Sequence, residues 1–301
     1  MVKVPKKILI MSAWCGIGDL YLFLPALRSI KEKWGEYSEI HICIDPVRWG
    51  LKHDLIWGQP DIDKVIKQKG RHDSIREPIY DVVYETRGGG IELPFRYIND
   101  DCHYFDYIKR IYDLNMWDNY PPKIYYSEEE ESQIENFMQR FDYPVLIHTL
   151  HTNRWPYGKA LPQTFWEWLI PQYPNIQFLQ VGVEEIDYDL NSFPNVIDLK
   201  GKLKIRLSAL LMKHVKFHIC VESIMAHISA TTQKKGVVVW GISPHNYLEH
   251  KHNINLHNKL DCSPCIKYEL TGGRDCCQKD GVIYPWDEIK DAIDGLIEEI
   301  H

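Results

Sequence analysis

At 301 residues the chain has room for two domains of ~150 residues each. It is 45% hydrophobic and 26% charged, the balance of a soluble globular protein, and no apolar run reaches the ~18 residues that a bilayer span needs. A formal charge of −7 argues against a general nucleic-acid binder, though not against a local basic groove.

The chain opens basic and then apolar. It shows no small-residue cleavage site, so we read this stretch as a first strand rather than a signal peptide. Ile8 to Met11 suits a buried strand. Gly16, Ile17, Gly18 and Asp19 follow, and then Leu20, Phe23, Leu24, Leu27, Ile30 and Trp34 recur at steps of three and four, one face of a helix. Pro25 is expected within its first turn or two, where a missing N–H costs least. The pattern is strand, glycine turn, helix start. Asp19 fits two roles there that do not exclude each other: a helix N-cap carboxylate, or a general base at the mouth of a cleft.

Glu39–Ile44 reads as a strand, as do Ile62–Ile66 and Asp81–Glu85. Tyr104–Leu114 reads as a helix and Lys123–Tyr126 as extended. Ser127 with Glu130 fits a capping box opening a helix to about Arg140. A second alternation then begins. The expected strands are Val145–Thr149, Ile176–Val181, Val196–Asp198, Val215–Val221 and Gly236–Trp240. The expected helices are Pro162–Ile170, Ile205–Lys213 and a segment through Ala230. This alternation implies parallel sheets covered on both faces, and two Rossmann-like halves: a first domain over residues 1–126 and a second over 127–301. Ligands of such sheets bind outside the carboxyl ends of the strands. In the second half that edge collects the loops after Thr149, Val181, Val221 and Trp240. A terminal helix from about Trp286 to Ile300 carries Ile289, Ile293, Leu296, Ile297 and Ile300 on one face.

Several side chains on that edge are candidates for chemistry. Asn153, Arg154 and Lys159 follow a strand and precede a helix, which suits either a diphosphate pocket or a solvated loop. Ser223 stands where it could cap a helix and meet a phosphate. His227 lies one turn further, as a ligand contact or a hydrogen-bonded core histidine. Eight cysteines without a secretion signal suggest thiols or a metal rather than a disulfide scaffold. Cys262 and Cys265, with Cys276 and Cys277, could hold zinc or iron; a thiol cluster or a disulfide are the other readings. Cys15, Cys43, Cys102 and Cys220 read as small core residues, and His245, His250, His252 and His257 as surface or loop residues. HExxH, GxxxxGK[ST] and GxGxxG are all absent.

Three stretches resemble glycosyltransferase family 9, the ADP-heptose–lipopolysaccharide heptosyltransferases. GIGDLYLFLPALRSIKEKW from Gly16 to Trp34 is similar to that family's N-terminal signature. HTLHTNRWPYGKALPQTFWEWLI from His148 to Ile170 resembles its donor loop, and VESIMAHISATTQKKGVVVWGISP from Val221 to Pro244 its Asp-Ser/Thr-Gly stretch with a following histidine. CSPC resembles the family's cysteine-bearing tails. The sequence departs from the pattern at Glu222, where Asp is usual, and at Ile224, where Gly is usual.

The resemblance implies a GT-B fold, two facing Rossmann-like domains with a cleft between them, and a terminal helix that crosses back to the first domain. It implies an inverting transferase that needs no cofactor for catalysis; some members carry a cysteine-bound iron in a finger-like tail, a site that Cys262, Cys265, Cys276 and Cys277 could form. Asp19 matches the base that takes the acceptor's proton. Donor contacts would come from Thr149, Thr152, Asn153, Arg154, Lys159, Glu185, Glu222, Ser223 and His227, with Gly16, Gly18 and Ser243 in loops near the donor. The partners implied are a nucleotide-sugar donor, ADP-linked, and a hydroxyl acceptor on a surface glycan such as lipopolysaccharide core, a protein side chain or a modified nucleic-acid base. Peripheral membrane contact, a homo-oligomer and a cytoplasmic location fit the same picture. Two other readings stay open: a sugar-nucleotide epimerase, and a non-catalytic nucleotide-sugar-binding protein.

Overall fold

The structure is a computed structural model that describes residues 4–12, 15–46, 49–67, 79–86, 103–114, 122–149, 159, 161–184, 187–241, 243, 247–257 and 286–299. The chain divides into two compact units, Met1–Tyr125 and Tyr126–His301.

The first unit is built on a parallel sheet. Strand β1 (Lys7–Met11) lies between β2 (Glu39–Ile44) and β4 (Val82–Glu85), and β3 (Lys64–Lys67) flanks β2. The apolar residues of β1 and β2 are buried on both faces, as parallel strands require. Helix α1 (Ile17–Trp34) buries Leu20, Phe23, Leu24, Leu27 and Ile30 of the expected face, leaving Trp34 half-buried, together with Tyr21, Leu22 and Ala26. Pro25 sits further in than expected, inside the helix, and the helix continues through it. Helix α2 (Trp49–Ile56) was not foreseen from the sequence; α3 (Tyr104–Tyr112) was.

The second unit begins with α4 (Glu128–Met138), whose capping box forms as expected: the Glu130 N–H donates to Ser127 Oγ at 3.2 Å and the Ser127 N–H to Glu130 Oε2 at 2.9 Å. Its sheet runs β10-β9-β8-β5-β6-β7, all parallel. The strands are β5 (Val145–His148), β6 (Phe178–Gln180), β7 (Val196–Asp198), β8 (His218–Val221), β9 (Gly236–Trp240) and β10 (Ile254–His257). The chain enters at β5, steps outward to β7, then returns to β8 beside β5 and steps out the other way. The strand order therefore reverses between β5 and β8, the place where such sheets open a crevice. Among the described residues, helices α5 (Gln163–Leu169), α6 (Ile205–His214), α7 (Ile224–Thr232) and α8 (Trp286–Glu298) also belong to this unit.

The core of the second unit joins Val145, Ile147, Phe178, Ile219, Val237 and Val239 of the sheet to Phe165, Trp166 and Leu169 of α5. Ile289, Ile293 and Leu296 of α8 belong to this same core. Three of the five residues on the expected apolar face of the terminal helix are thus buried in the second unit's own core. Strand β10 was not expected, and two of the histidines assigned to surface or loop are placed differently: His257 is in β10 and His250 is buried.

His218 lies fully buried against Gly236, where a Cβ would collide with the His218 carbonyl and ring. Its Nε2 lies 3.1 Å from the Lys234 carbonyl and 3.2 Å from Asn253 Oδ1, two oxygen acceptors, so Nε2 carries the proton. Burial pushes the imidazole's pKa from 6.5 down to about 4. The unfolded chain therefore takes up a proton below pH 6.5 that the folded chain refuses until about pH 4. Stability is expected to fall by about 3 kcal/mol from this group alone as pH drops through that window. Burial also lowers His148, which adds in the same direction. Urea midpoints measured at about pH 7.5 and pH 4.5 check this. His218→Gln should flatten the difference, and a wild-type midpoint that does not move would refute it.

Candidate functional site

In the first unit the carboxyl end of β1 leads through Ser12 and Cys15 to Gly16, which stands at the N-cap of α1. Asp19 occupies the third helical position. Its Oδ2 accepts the Gly16 N–H at 2.6 Å, so Asp19 closes the cap from inside the helix and is not itself the N-cap residue. A Cβ at Gly16 would stand 3.0 Å from that same oxygen, so a side chain there would push the carboxylate by a few tenths of an ångström. Gly18 lies within the first helical turn rather than in a loop before it. Asp19 is half-buried at the sheet's carboxyl edge.

In the second unit, side chains from five strand ends meet at the carboxyl edge. Glu222, just past β8, is 2% exposed and gathers its neighbours. Its Oε2 accepts the N–H groups of Gly241 and Ser243 at 3.1 and 3.2 Å, and its Oε1 accepts the Ser243 hydroxyl at 2.6 Å. Oε1 also pairs with Lys159 Nζ at 3.2 Å. One carboxylate thus fixes the loop after β9 and holds a cation beside the reversal point.

Ser223 stands at the N-cap of α7 yet does not cap it with its side chain. Its Oγ lies 2.9 Å from His148 Nδ1, across the step from β8 to β5. His148 is buried, and burial holds its pKa below the usual range against the opposing pull of Asp187, so it is neutral. Thr149 is fully buried. Its hydroxyl donates to Asp187 Oδ1 at 2.9 Å and accepts from Gln180 Nε2 at 3.2 Å. Gln180 Oε1 in turn accepts from Lys200 Nζ at 3.0 Å, and Lys200 pairs with Asp198 at 3.2 Å. A polar rim therefore runs along the strand ends from β7 to β9, and Thr149 is part of its support.

His227 is buried one turn into α7, its Nδ1 3.2 Å from His250 Nε2 and its ring 6.0 Å from that of Trp240. This is the geometry of a hydrogen-bonded core histidine. Thr152, Asn153, Arg154 and Glu185 lie outside the described residues, as do Cys102, His245, Cys262, Cys265, Cys276 and Cys277. Cys15, Cys43 and Cys220 are buried as expected. Among the described residues, no three His, Cys, Asp or Glu side chains are grouped to hold a metal, and no helix is long and apolar enough to cross a membrane.

The structure thus brings Lys159, Glu222 and Ser243 together, while Ser223, next to Glu222 in the chain, turns its hydroxyl to His148. The sequence reading missed His148, Asp187, Gln180 and His250. A signal existed for two of them: His148 and Gln180 are polar residues closing otherwise apolar strands. Chemically, the edge offers an ammonium, a hydroxyl and the N-terminus of α7, a set suited to an anion.

No family model and no curated protein matches the sequence. Solved structures do match in fold. A glycosyltransferase of family 9 from Veillonella parvula DSM 2008 is 17% identical, covers 99% of each chain and superposes with a TM-score of 0.71. The E. coli ADP-heptose lipopolysaccharide heptosyltransferase II is 15% identical over 98% of this chain and 100% of its own, with a TM-score of 0.62. The iron-containing dodecameric glycosyltransferase TibC from enterotoxigenic E. coli H10407 is 13% identical over 100% of this chain and 79% of its own, with a TM-score of 0.66. In fold, the chain is similar to glycosyltransferases of family 9 and to ADP-heptose heptosyltransferases.

Proposed function

We propose that the chain is an inverting glycosyltransferase. It moves a heptose or related sugar from an ADP-linked donor to a hydroxyl of a surface glycan, and GT-B architecture is part of this reading. The observation that carries it is the placing of Lys159, Glu222 and Ser223 at the order reversal between β5 and β8, the ligand edge of such a sheet. The ADP-linked donor is supported by TibC, solved in complex with ADP-D-β-D-heptose.

In the reaction, the acceptor oxygen attacks the anomeric carbon as its proton passes to Asp19. The bond from that carbon to the diphosphate oxygen breaks with inversion. Negative charge grows on the leaving diphosphate, and Lys159, the Ser223 hydroxyl and the N–H groups opening α7 are the donors aimed at it. Glu222 keeps Lys159 in place, while Thr149 and His148 support from beneath. A cytoplasmic location, peripheral membrane contact at a lipid-linked acceptor and self-association belong to the same proposal.

Thermal-shift binding against ADP, UDP, GDP and their sugar conjugates tests it, since a ligand of the folded state raises the melting temperature by mass action. ADP or ADP-heptose is expected to give a shift. Lys159→Ala is expected to weaken that binding by about 10–100-fold, the worth of a hydrogen bond to a charged group. A shift with UDP or GDP compounds alone would move the donor. No shift with any of them would favour a non-catalytic or assembly role. Metal analysis of the same sample separates iron or zinc at Cys262, Cys265, Cys276 and Cys277 from plain thiols.

A further inference from the structure

Lys52, on α2, is fully buried. Its Nζ donates to the Ser12 carbonyl just past β1, and to Asp45 Oδ2, just past β2, at 3.1 Å. It lies 3.7 Å from Cys15 Sγ. That thiol also receives the Thr86 hydroxyl, from just past β4, at 2.8 Å, and sits 3.1 Å from Ser12 Oγ. On the far side, the Tyr104 hydroxyl of α3 donates to the Thr86 carbonyl and lies 3.4 Å from the Asp19 carbonyl. The carboxyl ends of β1, β2 and β4 and the first turn of α1 are therefore tied into one buried polar assembly, with Lys52 at its base.

An ammonium is a costly way to fill a core position. A methionine would occupy the same volume with no charge to desolvate, and replacing a buried ion pair by apolar groups is often neutral or stabilising. Stability alone gives no reason for a lysine here. What the charge adds is direction: it aims at the Ser12 carbonyl, just past β1, on the way to the helix that carries Asp19. Burial, and after it the Asp19 carboxylate, raise the Cys15 pKa, while Lys52 lowers it. The thiol is thus a neutral spacer between the two charges.

We propose that Lys52 is a positioning residue for Asp19: by fixing the end of β1 it sets where the Asp19 carboxylate points. The inference rests on the transferase reading, in which that carboxylate takes the acceptor's proton. A displacement of about 1 Å in such a group can cost 10²-fold in rate.

The test is Lys52→Met combined with Asp45→Asn, so that no carboxylate is left buried without its partner, compared with Asp45→Asn alone. ADP release from ADP-heptose is measured with heptose-free lipopolysaccharide core as acceptor, alongside ADP affinity and thermal melting. The double variant is expected to melt cooperatively and bind ADP as the wild type does. Its kcat should fall by about 10–100-fold at unchanged donor KM. Introduced into Asp19→Asn, the same pair should lower the residual rate no further, because residues acting as one unit are non-additive. Lys52→Gln, which keeps an N–H for the Ser12 carbonyl, should recover part of the rate and serves if the double variant does not fold. A folded double variant with wild-type kcat, or one whose effect multiplies with that of Asp19→Asn, overturns the proposal. A wild-type protein that neither binds ADP nor releases it overturns the transferase reading instead.

Discussion

Asp19→Asn is expected to lower turnover by about 10²–10⁴-fold, the contribution of a positioned general base, while the nucleotide's dissociation constant stays where it is. Asparagine is the right probe because of what the carboxylate also does. Asp19 Oδ2 accepts the Gly16 N–H at 2.6 Å, and an amide oxygen can take the same bond. The helix cap is therefore kept and only the basicity is lost. Asp19→Ala removes both, and should add about 0.5–2 kcal/mol of instability from the lost cap. Comparing the two separates cap from base. Equal turnover in wild type and Asp19→Asn would make the residue a cap and nothing more. The donor's affinity is the internal control, because the residues proposed to bind it stand on the second unit's sheet.

Much of the fold was legible because its strands are apolar runs bounded by turn residues. Ile8–Met11, Glu39–Ile44 and Gly236–Trp240 announce themselves in this way. The elements that escaped have physical reasons for doing so. Helix α2 is short, and one of its core-facing residues is Lys52, which reads as a solvent residue until its partners at Ser12 and Asp45 are known. Strand β10 does alternate apolar and polar residues, but at four residues in a polar, histidine-rich stretch it is too short for the alternation to stand out from a loop. Strand order is a further limit: alternation of elements implies parallel sheets, but the reversal between β5 and β8 is a tertiary fact.

The site divides along the same line. Asp19 is a candidate from its glycine turn, and Lys159, Glu222 and Ser223 are candidates from their places after strands, but the long-range bonds made along the second unit's sheet edge could not be read. The Ser223–His148 pair spans 75 residues and Thr149–Asp187 spans 38. Local pattern made Ser223 a cap for α7, whereas the structure turns its hydroxyl to His148.

Glu222→Ala is expected to destabilise the protein by about 2–4 kcal/mol, mostly because the N–H groups of Gly241 and Ser243 lose their buried acceptor. The ion pair with Lys159 contributes less to stability, since the lysine side chain is 33% exposed and water can replace its partner. The position of Lys159 is another matter. Without the carboxylate its ammonium has no fixed seat at the reversal point, and nucleotide affinity should fall with it. Glu222→Gln divides the two effects. Its carbonyl oxygen can still accept from Gly241 and Ser243, so urea midpoints should lie near wild type, while its amide N–H₂ faces the lysine and cannot hold it. The expected result is a stable Glu222→Gln that binds ADP about as weakly as Lys159→Ala, with no further loss when both are changed, because one acts through the other. If Glu222→Gln instead keeps full ADP affinity, the carboxylate serves only the loop after β9.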